Sequence, residues 1–153
     1  MKTRVSMIVG CVLGLPLLGF LVIQLIPVWL WQTNPVVVAE PNWDSAATRA
    51  MAQRACFDCH SNETVWPWYS KVAPVSWLVT KDVVEGRQRL NFSEWGVARG
   101  GREGRDPLKD LNKVLTRGQM PPNKYLLIHP EAKLTEAERQ QLLDGLTATL
   151  SQP

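Results

Sequence analysis

Acidic residues are missing from the first 39 positions of this 153-residue chain, and after Arg4 no charge of either sign occurs until Glu40. Histidine is scarce too, with only His60 and His129, and the cysteines number three, Cys11, Cys56 and Cys59. Each shortage excludes something. So few histidines leave few players for acid–base catalysis, and no nucleophile–base constellation stands out, so the chain does not read as an enzyme. A finger-like zinc site needs four Cys or His at set spacings, and beyond Cys56 to His60 only the isolated Cys11 and His129 remain. A thioredoxin-type dithiol needs a βαβ setting, yet no strand-rich pattern precedes Cys56. Setting Lys2 and Arg4 aside lowers the formal charge of +3 to +1, which excludes a nucleic-acid surface.

What the chain does hold is Cys56-Phe57-Asp58-Cys59-His60. Two cysteines three apart with a histidine directly after the second form the attachment signature of a c-type haem. The spacing follows from the chemistry. Both thiols add to the vinyl groups of one porphyrin edge, and the adjacent imidazole is thereby placed under the iron as an axial ligand. The expected cofactor is one covalent haem c, held through Cys56 and Cys59 with His60 on the metal. Shortly afterwards come Trp66-Pro67-Trp68-Tyr69. Their rings bury large flat areas and keep a polar edge, so Trp66, Trp68 and Tyr69 are expected to line the haem pocket, with simple core packing as the rival reading.

Residues 5–31 are uncharged and mostly apolar, long enough at about 1.5 Å per residue to cross a hydrocarbon core of about 30 Å. Lys2 and Arg4 before this run place the N-terminus in the cytoplasm and everything after it outside. In bacteria covalent haem attachment takes place on that outer side. The expectation is therefore a single-pass inner-membrane protein with its haem domain in the periplasm. The run is longer than the 7 to 15 residues of a cleaved signal core, which favours a retained anchor over cleavage near Ala39. Trp29 and Trp31 suit an interfacial belt, Pro27 ends the helix and Pro16 kinks it. Cys11 follows a segment loosely like a lipoprotein box, but the apolar run continues past it, so it reads as a small membrane residue without a role.

The expected organisation is an anchor at 1–31, a linker at 32–42 carrying Pro35 and Pro41, and a haem-binding domain at 43–153. Asp44 is the expected N-cap of an Ala-rich helix from 45 to about 55. Pro74 opens a helix from 75 to 90, within which Trp77 faces either haem or core. Arg99, Arg102 and Arg105 lie in a Gly/Arg loop that reads as solvated, with docking of an acidic partner as the sharper alternative. Asp106-Pro107 starts the next helix and Gly118 stops it. The last helix begins with a capping box, Thr135 and Glu138. It carries Leu142, Leu143, Leu146 and Leu150 on one face, with Gly145 expected where it crosses the helix at 45–55.

Sixty residues beyond His60 comes Met120, in Gln119-Met120-Pro121-Pro122. A thioether on a proline-fixed loop is a suitable sixth ligand for haem iron, and His/Met ligation raises the reduction potential. His129 is the rival, as the stronger donor, but nothing comparable positions it. Lys124 and Tyr125 are candidate propionate partners.

With these residues in view, the chain from about 42 to 150 resembles the bacterial haem-binding domain family of small, membrane-anchored monohaem c-type cytochromes. The likeness is carried by Cys-Phe-Asp-Cys-His-Ser-Asn-Glu-Thr from Cys56, Trp-Pro-Trp-Tyr-Ser from Trp66, Asn-Phe-Ser-Glu-Trp from Asn91, Met-Pro-Pro from Met120 and His-Pro-Glu-Ala from His129. The resemblance implies covalent haem at Cys56 and Cys59, His60 as proximal ligand, and an all-α, cytochrome c-like helical shell preceded by one transmembrane helix. It leaves Met120 and His129 both open as sixth ligand. The leading functional expectation is electron transfer by Fe(III)/Fe(II) cycling to a redox partner that no sequence feature identifies. The alternative is a haem-based sensor or peroxidase-like protein with a labile or absent sixth ligand.

Overall fold

A computed structural model describes residues 2–96 and 107–150. Among these the regular elements are helices: α1 (Lys2–Ile23), α2 (Ala46–Ala55), α3 (Phe57–His60), α4 (Val75–Arg89), α5 (Pro107–Thr116), α6 (Asn123–Leu126) and α7 (Glu136–Leu150). Short 3-10 turns cover Val28–Trp31, Trp68–Lys71 and Pro130–Ala132. The described residues contain no strand, only an isolated bridge between Ala39 and Glu94. The all-α class expected from the sequence is the class adopted. The Gly/Arg loop with Arg99, Arg102 and Arg105, and the Asp106 cap, lie outside the described residues.

Two compact units make up the chain, Met1–Thr33 with Trp66–Asp82, and Asn34–Val65 with Val83–Pro153. In the first unit α1 is continuous through Pro16 and ends at Ile23, four residues before Pro27. The stretch Val12–Trp31 is apolar enough to cross a membrane by length and composition. The stop comes from Gln24, whose Nε2 donates back to the Phe20 carbonyl at 3.0 Å and onward to the Ala73 carbonyl at 3.1 Å. Its Oε1 accepts the Ala73 N–H at 2.9 Å. Gln32 extends the bracket, donating to the Ser70 carbonyl and to Thr80 Oγ1. The turn at Trp68–Lys71 and the first turns of α4 are thus tied to the residues that follow α1.

The second unit is built on an apolar core of Phe57, Phe92, Leu115, Leu142 and Leu146 with the small Ala52 and Ala55. Each large side chain contributes on the order of 1.5–3 kcal/mol by leaving water. Ser45 rather than Asp44 caps α2, accepting the Thr48 N–H at 3.1 Å, because the Asp44 backbone is turned to donate to Thr149 Oγ1 on α7. The capping box of α7 forms as expected. Glu138 N–H donates to Thr135 Oγ1 at 3.2 Å and Thr135 N–H returns a bond to Glu138 Oε2 at 2.8 Å. The crossing of α2 and α7 is at Gly145, where an added Cβ would come within 2.1 Å of Thr48 Oγ1.

The segment 32–42, expected to be a tether, is extended but not free. Val38 and Ala39 donate their N–H groups to the Ser93 carbonyl, and Trp95 N–H donates to the Ala39 carbonyl at 2.9 Å. Glu40 accepts both Arg49 Nε at 2.8 Å and the terminal guanidinium nitrogen at 2.7 Å. Its carboxyl is held below the usual carboxylate range, first by Arg49, against its own burial. The prolines were legible in the sequence, whereas the backbone that holds the segment lies more than fifty positions further on.

Candidate haem site

Cys56, Cys59, His60 and Met120 of the second unit converge on one cavity of about 800 Å³. Its lining includes Cys56, Cys59 and His60 from the start and length of α3, and Met120, Pro121 and Pro122 from the loop after α5. Leu111, Val114 and Leu115 of α5, Leu146 of α7, and Ala55, Leu90 and Phe92 supply the apolar wall. Arg89, Lys109 and Lys113 bring positive charge to it, and Asp58 and Asp110 negative charge. A space of this size, mostly apolar with a few polar groups, suits an organic cofactor.

α3 follows directly on α2. The Cys56 N–H donates to the Ala52 carbonyl at 2.8 Å, and the Cys59 and His60 N–H groups return to the Cys56 carbonyl at 3.1 and 2.9 Å. The turn places both sulfurs and the imidazole at the cavity wall. Close backbone approach backs it from α4: a Cβ at Gly86 would come within 2.3 Å of the Cys59 carbonyl oxygen. Only glycine fits there.

His60 has a defined proton. Its Nδ1 lies 3.1 Å from the Leu90 carbonyl. A carbonyl can only accept, so Nδ1 carries the hydrogen and Nε2 keeps its lone pair for a metal, the outer-shell arrangement that orients a ligating histidine. Burial pushes the imidazole below its ordinary pKa, against the opposing hydrogen bonds to Leu90 and Gly86, which favours the neutral form a metal needs. Cys56 and Cys59 are both free thiols, and burial pushes Cys56 up to about 12. Among the described residues no group of three or more His, Cys, Asp or Glu gathers to hold a bare ion. One imidazole, one thioether and two thiols around an apolar space instead match a group that brings its own equatorial ligands, as a porphyrin does. The donor set fits haem.

The loop after α3 is held by the Asn91-Phe92-Ser93-Glu94 segment. Phe92 N–H donates to the His60 carbonyl at 2.8 Å, and Asn62 N–H to Ser93 Oγ at 2.9 Å. Asn91 Nδ2 donates to Asn62 Oδ1 at 2.8 Å, all within a buried set. Phe92 itself stacks on Phe57 at 5.5 Å and meets Trp43, tilted, at 5.2 Å. Arg87 Nε closes the ring on the Ser61 carbonyl at 2.7 Å.

Met120 is positioned by the end of α5. Gly118 has φ +61°. Its N–H reaches the Leu115 carbonyl and the Gln119 N–H the Val114 carbonyl, the paired bonds of a Schellman stop. Two residues later the thioether enters the cavity lining, and Met120-Pro121 is a cis peptide bond. His129 is absent from that lining. Its ring stacks on Tyr125 at 4.3 Å with 12° between planes, and its Nδ1 meets Glu131 at 2.9 Å.

The aromatic run belongs to the first unit. Every residue lining the cavity belongs to the second unit, whereas Trp66, Trp68 and Tyr69 belong to the first, as does Trp77. Trp68 and Tyr69 pack edge to face at 5.9 Å, Lys71 sits over the Trp66 ring, and the Trp68 side chain is exposed. Tyr125, expected as a propionate partner, is among the residues lining the cavity. Its hydroxyl donates to Asp58 Oδ2 at 2.7 Å, inside the attachment motif, and burial followed by Asp58 raises its pKa. That bond and the Leu90 carbonyl carry no sequence signal, since one partner is 67 positions away and the other is backbone.

No curated protein and no solved structure matches the chain. A family model does: the haem-binding domain model covers residues 18–148, from within α1 to near the end of α7, and with the donor set just described it establishes that the chain belongs to the haem-binding domain family.

Proposed function

We propose that this haem protein is a membrane-anchored monohaem c-type cytochrome that transfers electrons on the outer, periplasmic side of a bacterial inner membrane. One observation carries the reading: Cys56, Cys59, His60 and Met120 line a single apolar cavity, so attachment and both axial ligands are available to one group. Haem supplies the one-electron Fe(III)/Fe(II) couple when bound. Cys56 and Cys59 would hold it through thioethers, and His60, oriented by Leu90, would offer Nε2 to its iron. Met120, on its proline-fixed loop, would be the second protein ligand in preference to His129, which is engaged with Tyr125 and Glu131. Leu111, Val114 and Leu146 would keep water from the group, and a site closed to solvent suits electron transfer. The apolar stretch Val12–Trp31 is the anchor, and Lys2 and Arg4 set its direction.

Denaturing electrophoresis with haem staining tests attachment: Cys56→Ala/Cys59→Ala loses all staining. Absorption spectroscopy tests the ligand. A Met-to-iron charge-transfer band in the ferric protein disappears in Met120→Ala and persists in His129→Ala. Rapid carbon monoxide binding by the untreated ferrous protein would replace this reading with a sensor or peroxidase-like one.

A further inference from the structure

We propose that residues 66–82 lie in the interfacial layer of the bilayer at the outer end of α1, with Trp68, Val75, Trp77 and Leu78 seated among lipid headgroups and the first acyl carbons. This rests on the membrane-anchor reading above and adds a second, peripheral lipid contact to it.

The first observation is an inverted polarity. In the turn Trp68–Lys71 and the first turns of α4 the buried side chains are polar: Ser70 is 0% exposed, Ser76 4% and Thr80 6%. The residues facing out are large and apolar, with Trp68 at 79% exposure, Leu78 at 44% and Trp77 at 37%. A helix facing water sorts the opposite way, because each Å² of apolar surface left in water costs about 25 cal/mol. A surface that is apolar outside and hydrogen-bonded inside is matched to a surrounding medium that is itself apolar.

The second observation is position. Gln24, one residue past the end of α1 and inside the apolar stretch, bonds both backbone groups of Ala73. Gln32, just beyond that stretch, bonds the Ser70 carbonyl and Thr80 Oγ1. Those bonds hold the exposed face against the end of the span, so its lipid contact is continuous with that of α1. Trp29 and Trp31, exposed in the same unit, give the belt residues of the span itself. Tryptophan prefers this depth because its body is apolar and its N–H still reaches water or headgroup. Lys71 is exposed beside the Trp66 ring, at the level where lipid phosphates sit.

The test uses the full-length holoprotein, with Cys11→Ser and one nitroxide label at a time through Trp68→Cys, Leu78→Cys, Leu17→Cys or Gln141→Cys, in phosphatidylcholine vesicles. An unchanged haem absorption spectrum establishes that each labelled chain is folded. Collision with membrane-dissolved oxygen and with a water-soluble nickel chelate is read by power saturation. Labels at 68 and 78 are expected to favour oxygen, less strongly than 17, while 141, on the exposed side of α7, favours nickel. Labels at 68 and 78 that behave like 141 while 17 stays in lipid overturn this inference and leave the anchor reading intact. A label at 17 that meets nickel overturns both. Shielding of 68 and 78 from both reagents means that protein covers the face, which also overturns the lipid assignment.

Discussion

In the second unit Phe92, Leu142 and Leu146 are closed off from solvent and the paired charges Arg49–Glu40 and Arg54–Glu138 lie outside them, whereas in the first unit Ser70, Ser76 and Thr80 are closed off and Trp68, Trp77 and Leu78 face out. Both arrangements satisfy the same rule, that buried polar groups must be hydrogen-bonded and apolar area must avoid water. They differ in the medium expected outside. A cofactor cavity needs an apolar interior with few polar groups, and the second unit builds one. A segment beside a membrane span can turn that order round.

Phe92→Ala attacks the second unit where the contrast is sharpest. The ring is 1% exposed, stacked on Phe57 and Trp95 and packed against the tilted Trp43, so its loss is expected to cost about 3–5 kcal/mol, read by chemical denaturation of the holoprotein. Gly145→Ala is milder. Its Cβ would meet the buried Thr48 side chain, and overpacking of this kind costs about 1–3 kcal/mol, seen as a lower thermal midpoint with haem still attached.

A smaller effect depends on pH. Glu138 is held at about 2, first by the Thr135 backbone N–H and then by Arg54, below its ordinary 4.5. A depressed folded value means that the stability it adds is fully present above about 4.5 and is lost as pH falls towards 2. Thermal midpoints of Glu138→Gln are therefore expected to fall less over that window than those of the unsubstituted chain, since glutamine still caps but does not titrate. The smallest change is expected from Leu78→Ser. It removes an exposed apolar side chain, so stability in detergent moves by less than about 0.5 kcal/mol. A large loss would mean that Leu78 packs against protein and would erase the contrast between the units.

Several elements were legible in the chain because their signals are local. The capping box of Thr135 and Glu138, the Gly118 stop and the small residue at the Gly145 crossing each depend on neighbours within a few positions or on one side chain's size. The N-cap at Ser45 was misjudged by one residue, because Asp44 is as good a cap in isolation and only its bond to Thr149, 105 positions on, turns it away. The linker at 32–42 was read as extended, but its bonds to Ser93 and Arg49 depend on chain folding back. In the site, Cys56, Cys59 and His60 are visible together because their pattern spans only five positions. Leu90 and Asp58 as partners of His60 and Tyr125 were not.

The sequence by itself determined the attachment motif, the apolar N-terminal run and the helical class, since each is written in spacing or composition over a short stretch. Tertiary structure alone decided that Met120 and not His129 lines the cavity with His60, and that Trp66 to Tyr69 belong with the end of α1. Those outcomes rest on contacts between residues tens of positions apart, whose energies depend on burial and geometry that no local pattern records.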